Sequence, residues 1–245
     1  RLASGRKRGY RRRMARIPYV DLDAASPRVR EELGKLPTVL NIFRMVANAD
    51  TLFPHFMRLG GAILSREQLD ARLRELVILR VARLSPSEYE WTQHVPIGLA
   101  CGITQEQIDA LADGKTDAAC FDDTDRLVLR FTDEAVRDVK VSDSTFAAAA
   151  ARFSQREIVE LILTVGFYMM VARLLETTAV DLDPPIGIAI TQPAGSRGPQ
   201  GEDPLELLHL HPGPGEFQPP RPDPRHQPAD QRPEPRRGPA DREAV

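Results

Sequence analysis

The chain has 245 residues, with 33 Lys and Arg against 35 Asp and Glu, a net charge of -2 and a pI near 6.3. That balance excludes whole-chain attachment to nucleic acid or to an anionic membrane surface, because neither sign of charge dominates. The two cysteines, Cys101 and Cys120, fit no disulfide framework and no metal or redox spacing, and they read as buried thiols of a cytoplasmic chain.

Composition divides the chain unevenly. Residues 1–15 read as a disordered basic arm, with no acid among its lysines and arginines and only Tyr10 to interleave with them. Met14, beside the first domain-like residues, is a candidate natural start. No apolar run follows the arm as a secretory leader requires. Residues 16–186 read as one domain, large enough to bury a core. Fifteen of the 21 prolines lie at or after Pro184, so residues 187–245 read as a disordered Pro- and Arg-rich tail. Its one apolar patch, LELLHLH at 205–211, holds histidines too isolated for a metal site.

In chain order, SPRVREELGKLP predicts a short helix with Ser26 as N-cap, Pro27 at the first position and Gly34 at its end. The segment from Val39 to Ser65 divides near residues 48–50 into two helices, the second interrupted or kinked by Pro54. Leu40, Phe43, Met45, Val46, Leu52, Phe56, Leu59 and Leu64 are expected on packed faces, and His55 as a partly buried packing residue. Residues 70–84 form a strongly apolar helix that carries Glu75. Pro86 permits a turn and a restart, falling in the first turn of the next helix. Gly102 ends that helix and Thr104 caps another, with Gln107 in the capping-box position.

From Phe121 an amphipathic helix follows, with Leu127, Val128, Phe131 and Val136 on its apolar face. An Ala-rich helix begins at Ser142 or Asp143. Ser154 and Glu157 open the last long helix, which is apolar nearly all round and therefore expected in the middle of the domain or at a subunit interface. Its apolar run, residues 161–172, is too short to span a bilayer. RELVIL at 74–79 is similar to REIVELIL at 156–163, as after an internal duplication. No segment alternates as a strand does, so the expected fold is all-α.

The chemistry concentrates in residues 70–108. Ser87, Glu90 and His94 fall at i, i+3 and i+7, on one helical face, and an antiparallel pairing across the turn brings Glu75 towards them. Two carboxylates, an imidazole and a hydroxyl suit acid and base work, because carboxylates sharing a site resist simultaneous ionisation and His shuttles protons near neutrality. Tyr89 and Trp91 are candidates to shape a substrate pocket beside Ser87. The bland alternatives are a Glu90–His94 helix pair, a Glu75 pair with Arg74 or Arg80, and aromatics that only pack. Two Glu and one His without a second His make a poor metal set.

RELVILRVARLSPSEYEWTQHVPIGLACGITQEQI, together with the distal REIVELILTVGFYMMVARLLETT, resembles the carboxymuconolactone decarboxylase and alkylhydroperoxidase D-like family over roughly residues 16–183. The resemblance implies an all-α helical bundle with its site on a central helix pair, assembled as a homo-oligomer from trimer to hexamer. The family's peroxidase branch uses a Glu, a Cys-x-x-Cys pair and a His. Glu75 and His94 match the first and last, but Ser87 and Glu90 stand at the two cysteine positions, so both sulfurs are missing. A dithiol peroxidase needs a thiolate to attack peroxide and a second thiol to resolve the sulfenic acid. The first expectation is thus a decarboxylase-like lyase working on a small carboxylated or lactone substrate without a cofactor or metal. Its catalytic residues are Glu75, Glu90 and His94, and it is cytoplasmic, with no membrane and no specific nucleic acid as partner. A peroxiredoxin-type alkylhydroperoxidase and a non-catalytic small-molecule-binding oligomer are the alternatives.

Overall fold

Short polar side chains decide where the helices begin. Ser26, Asp70, Thr104, Asp122, Ser142 and Ser154 each accept a backbone N–H from two or three residues further on, satisfying donors that a helix start leaves bare. The computed structural model describes residues 14–185. The arm up to residue 13, the tail from residue 186 and its LELLHLH patch lie outside them.

Among the described residues all regular structure is helical, as expected: α1 Pro27–Gly34, α2 Asn41–Val46, α3 Phe53–Arg66, α4 Ala71–Leu84, α5 Glu88–Ala100, α6 Gln105–Ala112, α7 Asp123–Asp138, α8 Asp143–Ala150 and α9 Gln155–Thr178. The hub is α4, which packs against α5, α7, α9 and α6. Every residue from Leu73 to Ala82 is buried, so no side of this helix meets water over that length. Its charged members are accordingly paired. Arg80 donates two bonds to Asp133 of α7, at 2.5 and 2.7 Å. Arg72 bonds Asp125, whose other oxygen accepts from Gln107 of α6.

Two apolar clusters flank this hub. The larger includes Val77, Ile78, Val81, Phe53, Met57, Phe131, Leu161, Phe167 and Tyr168, and the smaller joins Leu76 and Leu79 to Ile103, Ile108, Leu111, Phe121 and Leu129. Gly98 sets the approach of α5 to α4: a Cβ there would lie 3.1 Å from both Ile103 Cδ1 and Leu79 Cδ1. A larger residue would push the two helices apart, and with them the side chains they bring together.

Several expectations need correction. Pro54 does not kink α3; it sits in that helix's first turn, where the missing N–H has no intrahelical acceptor to lose. Pro86 lies before the N-cap Ser87, outside the first turn of α5, whereas Pro96 stands inside α5. Leu52 and Leu59 are exposed and His55 is exposed beside Arg58, because α3 turns only one stripe inward. Cys101 and Cys120 are only half-buried. The long α9 is not enclosed on all sides, since Val159, Ile162, Leu163 and Met170 lie on its surface. By length and composition α9 as a whole could cross a bilayer, but half of its apolar stretch is buried within the domain, as in a core helix.

After α9 the chain doubles back across α2 and α5. The Asp183 carboxylate accepts from the Asn41 amide at 2.7 Å and from the Tyr89 hydroxyl at 2.5 Å. Gln93 donates to the carbonyls of Asp183 and Pro184. One acidic side chain therefore ties the start of α2 to the helix that carries the site.

Candidate functional site

The antiparallel α4–α5 pair brings Glu75 and His94 together. His94 Nδ1 lies 2.8 Å from Glu75 Oε2, with the carboxylate fully buried. The other oxygen, Oε1, accepts from Nε and Nη2 of the buried Arg74 at 3.2 Å each. Glu75 is thus held from both sides, and a carboxylate at Nδ1 favours the tautomer with its proton there, leaving Nε2 as the ring nitrogen available to a ligand. The Tyr168 ring stands edge-on to His94 at 5.0 Å and fixes its plane. Burial holds the Tyr168 phenol well above its ordinary value, so it stays protonated.

One turn before His94, Glu90 is in the opposite condition. It is 2% exposed, and neither carboxyl oxygen has a hydrogen-bond partner. Burial raises its pKa from 4.5 to about 8, only partly offset by Ser87, and Glu176 adds a small further rise. At pH 7 the Glu90 carboxyl is therefore mostly protonated. The buried Ser87 hydroxyl stands beside it, near enough to ease that rise but without the geometry of a formed hydrogen bond.

Both Glu90 and His94 face a cavity of about 120 Å³ between α2, α3, α5 and α9. Its walls are otherwise mostly hydrocarbon, from Leu40, Phe43, Phe56, Met57, Leu64, Phe167 and Val171 among others, with Gly60 and Gly61 opening the α3 side. A Cβ at Gly60 would come within 3.0 Å of Phe167 Cζ.

The structure therefore groups Glu75, Glu90, His94 and Ser87, as the helical spacing predicts. The alternative Glu90–His94 pair does not form, and Arg80 is committed to Asp133 rather than Glu75. Tyr89 reaches the cavity wall but spends its hydroxyl on Asp183. Trp91 takes the packing alternative instead of the pocket: one residue further round α5, it packs against the smaller cluster, with Arg83 over its ring at 5.0 Å. Sequence reasoning missed Gln93, Tyr168 and the glycine pair of α3. Only the glycines left a signal, two adjacent small residues inside an uncapped helical stretch. No group of three or more His, Cys, Asp or Glu among the described residues is placed to hold a metal ion.

An all-α domain with its polar site on a central antiparallel pair is an alkylhydroperoxidase D-like fold, and solved structures bear this out. A structure described as an alkylhydroperoxidase AhpD core, an uncharacterised peroxidase-related protein from Ralstonia eutropha JMP134, superposes with a TM-score of 0.61 at 18% identity, over 69% of this chain and 92% of that one. An uncharacterised peroxidase-related protein from Silicibacter sp. TM1040 gives 0.58 at 18% identity, over 67% and 91%. A protein of unknown function from Agrobacterium tumefaciens gives 0.52 at 20% identity, over 56% and 94%. No curated protein matches the chain significantly. Residues 51–134, which include Glu75, Ser87, Glu90 and His94, match the model of the carboxymuconolactone decarboxylase family.

Proposed function

We propose that the domain is an acid–base enzyme of the decarboxylase-like kind, moving protons on a small carboxylated or lactone-like molecule held in the cavity. The observation that carries this reading is the contrast between two buried carboxyl groups on one helix pair. Glu75 is fully hydrogen-bonded and orients His94, whereas Glu90 is protonated and free to donate. Two carboxyl groups in such different surroundings are suited to different roles.

In the proposed chemistry His94 Nε2 removes a proton from the carbon next to a carbonyl. The C–H electron pair becomes the enolate double bond, and the carbonyl pair moves to oxygen, where the Glu90 carboxyl hydrogen-bonds the developing charge. Glu75 stabilises the imidazolium that forms. Return of the proton to another carbon completes an isomerisation; loss of carbon dioxide from a carboxylated substrate reaches the same enolate, which the site then protonates. The test is deuterium incorporation from D2O, with carbon dioxide release, across small lactones, enolisable ketones and their carboxylated counterparts. Turnover of at least one compound that disappears in His94→Ala supports the reading, and no exchange with any of them refutes it.

The names of the similar structures favour a second reading, a thiol peroxidase. Against it, Ser87 and Glu90 supply no sulfur, and burial pushes the Cys101 thiol up, away from the reactive thiolate. Peroxide consumption with thiol titration separates the two. A ligand that raises the melting temperature without turnover would instead mark a binding module. The exposed stripe Val159, Ile162, Leu163 and Met170 on α9 supports the further proposal of a homo-oligomer, trimer to hexamer, which sedimentation of the full chain tests.

A further inference from the structure

Which molecule the cavity takes is a matter of charge and size. Its volume, about 120 Å³, is close to the roughly 150 Å³ that encloses one benzene ring. No lysine or arginine is among the residues that line it. The nearby cations are already spoken for: Arg74 by Glu75, Arg80 by Asp133, and Arg44 lies over Tyr19. The charges that act on its lining residues are acidic, Asp183 bonded to Tyr89 and Glu176 acting on Glu90. An anion entering this space would lose its hydration and meet no counter-charge, which is the costly case for a buried ion.

The polar groups that remain free are few. Tyr89 and Gln93 are spent on the segment after α9, and His94 Nδ1 is spent on Glu75. That leaves the Glu90 carboxyl, the Tyr168 hydroxyl and the second imidazole nitrogen, two donors beside an acceptor. We infer that the cavity selects neutral carbonyl compounds about one ring in size, with the carbonyl oxygen against Glu90 and the hydrocarbon against Phe43, Phe56 and Phe167, and that it turns carboxylates away. The inference deepens the acid–base reading of this site and rests on it. Of the two substrate types that reading allows, it chooses the uncharged one, so proton transfer rather than decarboxylation is the reaction expected here.

The test uses three ring-sized probes that differ in charge, acetophenone, benzoate and benzylamine, titrated into the full chain at pH 7 by calorimetry. Acetophenone should bind at least about tenfold more tightly than benzoate. Glu90→Gln, which keeps a donor, should hold acetophenone within about threefold, and Glu90→Leu should weaken it about tenfold. Benzoate binding as tightly as acetophenone overturns the inference. So does tightest binding of benzylamine, which would show Glu90 meeting its ligand as a carboxylate, and so does the absence of saturable binding by acetophenone. Exchange in D2O, of the acetophenone methyl protons and across the wider panel of lactones and ketones, reports separately on chemistry: selective binding with no exchange of any of them refutes the acid–base reading and leaves the charge selectivity standing.

Discussion

Replacing Glu90 with Gln should make the protein more stable, and increasingly so as pH rises. The native carboxyl titrates at about 8 because it is buried, whereas in the unfolded chain it titrates near 4.5. Below pH 4.5 both states hold the proton and the group costs nothing. Between the two values the unfolded state releases the proton and the folded state does not, so the native state loses ground by roughly 1.4 kcal/mol per pH unit. Above pH 8 both are ionised and the penalty is constant. From pH 5 to pH 9 the advantage of the Gln variant should grow by about 4 kcal/mol, a large share of the roughly 5–15 kcal/mol that holds a domain folded. Glu67, which burial raises to about 7, is present in both proteins and cancels in the difference. Urea unfolding of both proteins at pH 5, 7 and 9 measures it. Parallel stability curves would show that Glu90 is hydrated or paired in the native state, and the argument for a neutral acid in the cavity would fall with them.

Other consequences follow from single contacts. Arg74→Met leaves the Glu75 carboxylate buried without its guanidinium, and should cost about 3–5 kcal/mol in urea unfolding at pH 7. Val139 ends α7 with a φ of 68° while 91% exposed, so Val139→Gly relieves a left-handed β-branched residue without losing packing; unfolding stability should rise by about 1 kcal/mol. Asp183→Ala removes the acceptor shared by the Asn41 amide and Tyr89. Amide exchange across α2 should accelerate at least tenfold while α4 keeps its protection, and equal change in both helices would disprove a local latch.

The parts of this fold that the sequence announces are those with local causes. Caps at Ser26, Thr104 and Ser154 are read directly, because a short side chain bonding its own helix start needs nothing from elsewhere in the chain. The alignment of Ser87, Glu90 and His94 follows from helical geometry alone. Long-range choices are not written that way. Whether Glu75 would take Arg74 or Arg80 depended on Asp133, fifty-three residues beyond Arg80, and Trp91 was drawn to a second cluster that only the packing of α4, α6 and α7 creates. The exposure of Leu52 and Leu59 arises likewise, since apolar residues mark a helix face only when the neighbour that covers it is known.

The functional argument finally depends on a difference between two glutamates that the sequence does not distinguish. Both are buried on facing helices, and both match positions expected to carry chemistry. Glu75 is held at both oxygens, Arg74 bonding one and His94 the other, in a closed triad. Glu90 has no such bonds, for its oxygens face an apolar cavity and its titration is dominated by lost hydration. Removing Arg74 should erode this contrast, because Glu75 would lose the bonds that hold its carboxylate in place against His94. The guanidinium that never touches the cavity is therefore what allows one acid to orient the base while the other keeps its proton for a ligand.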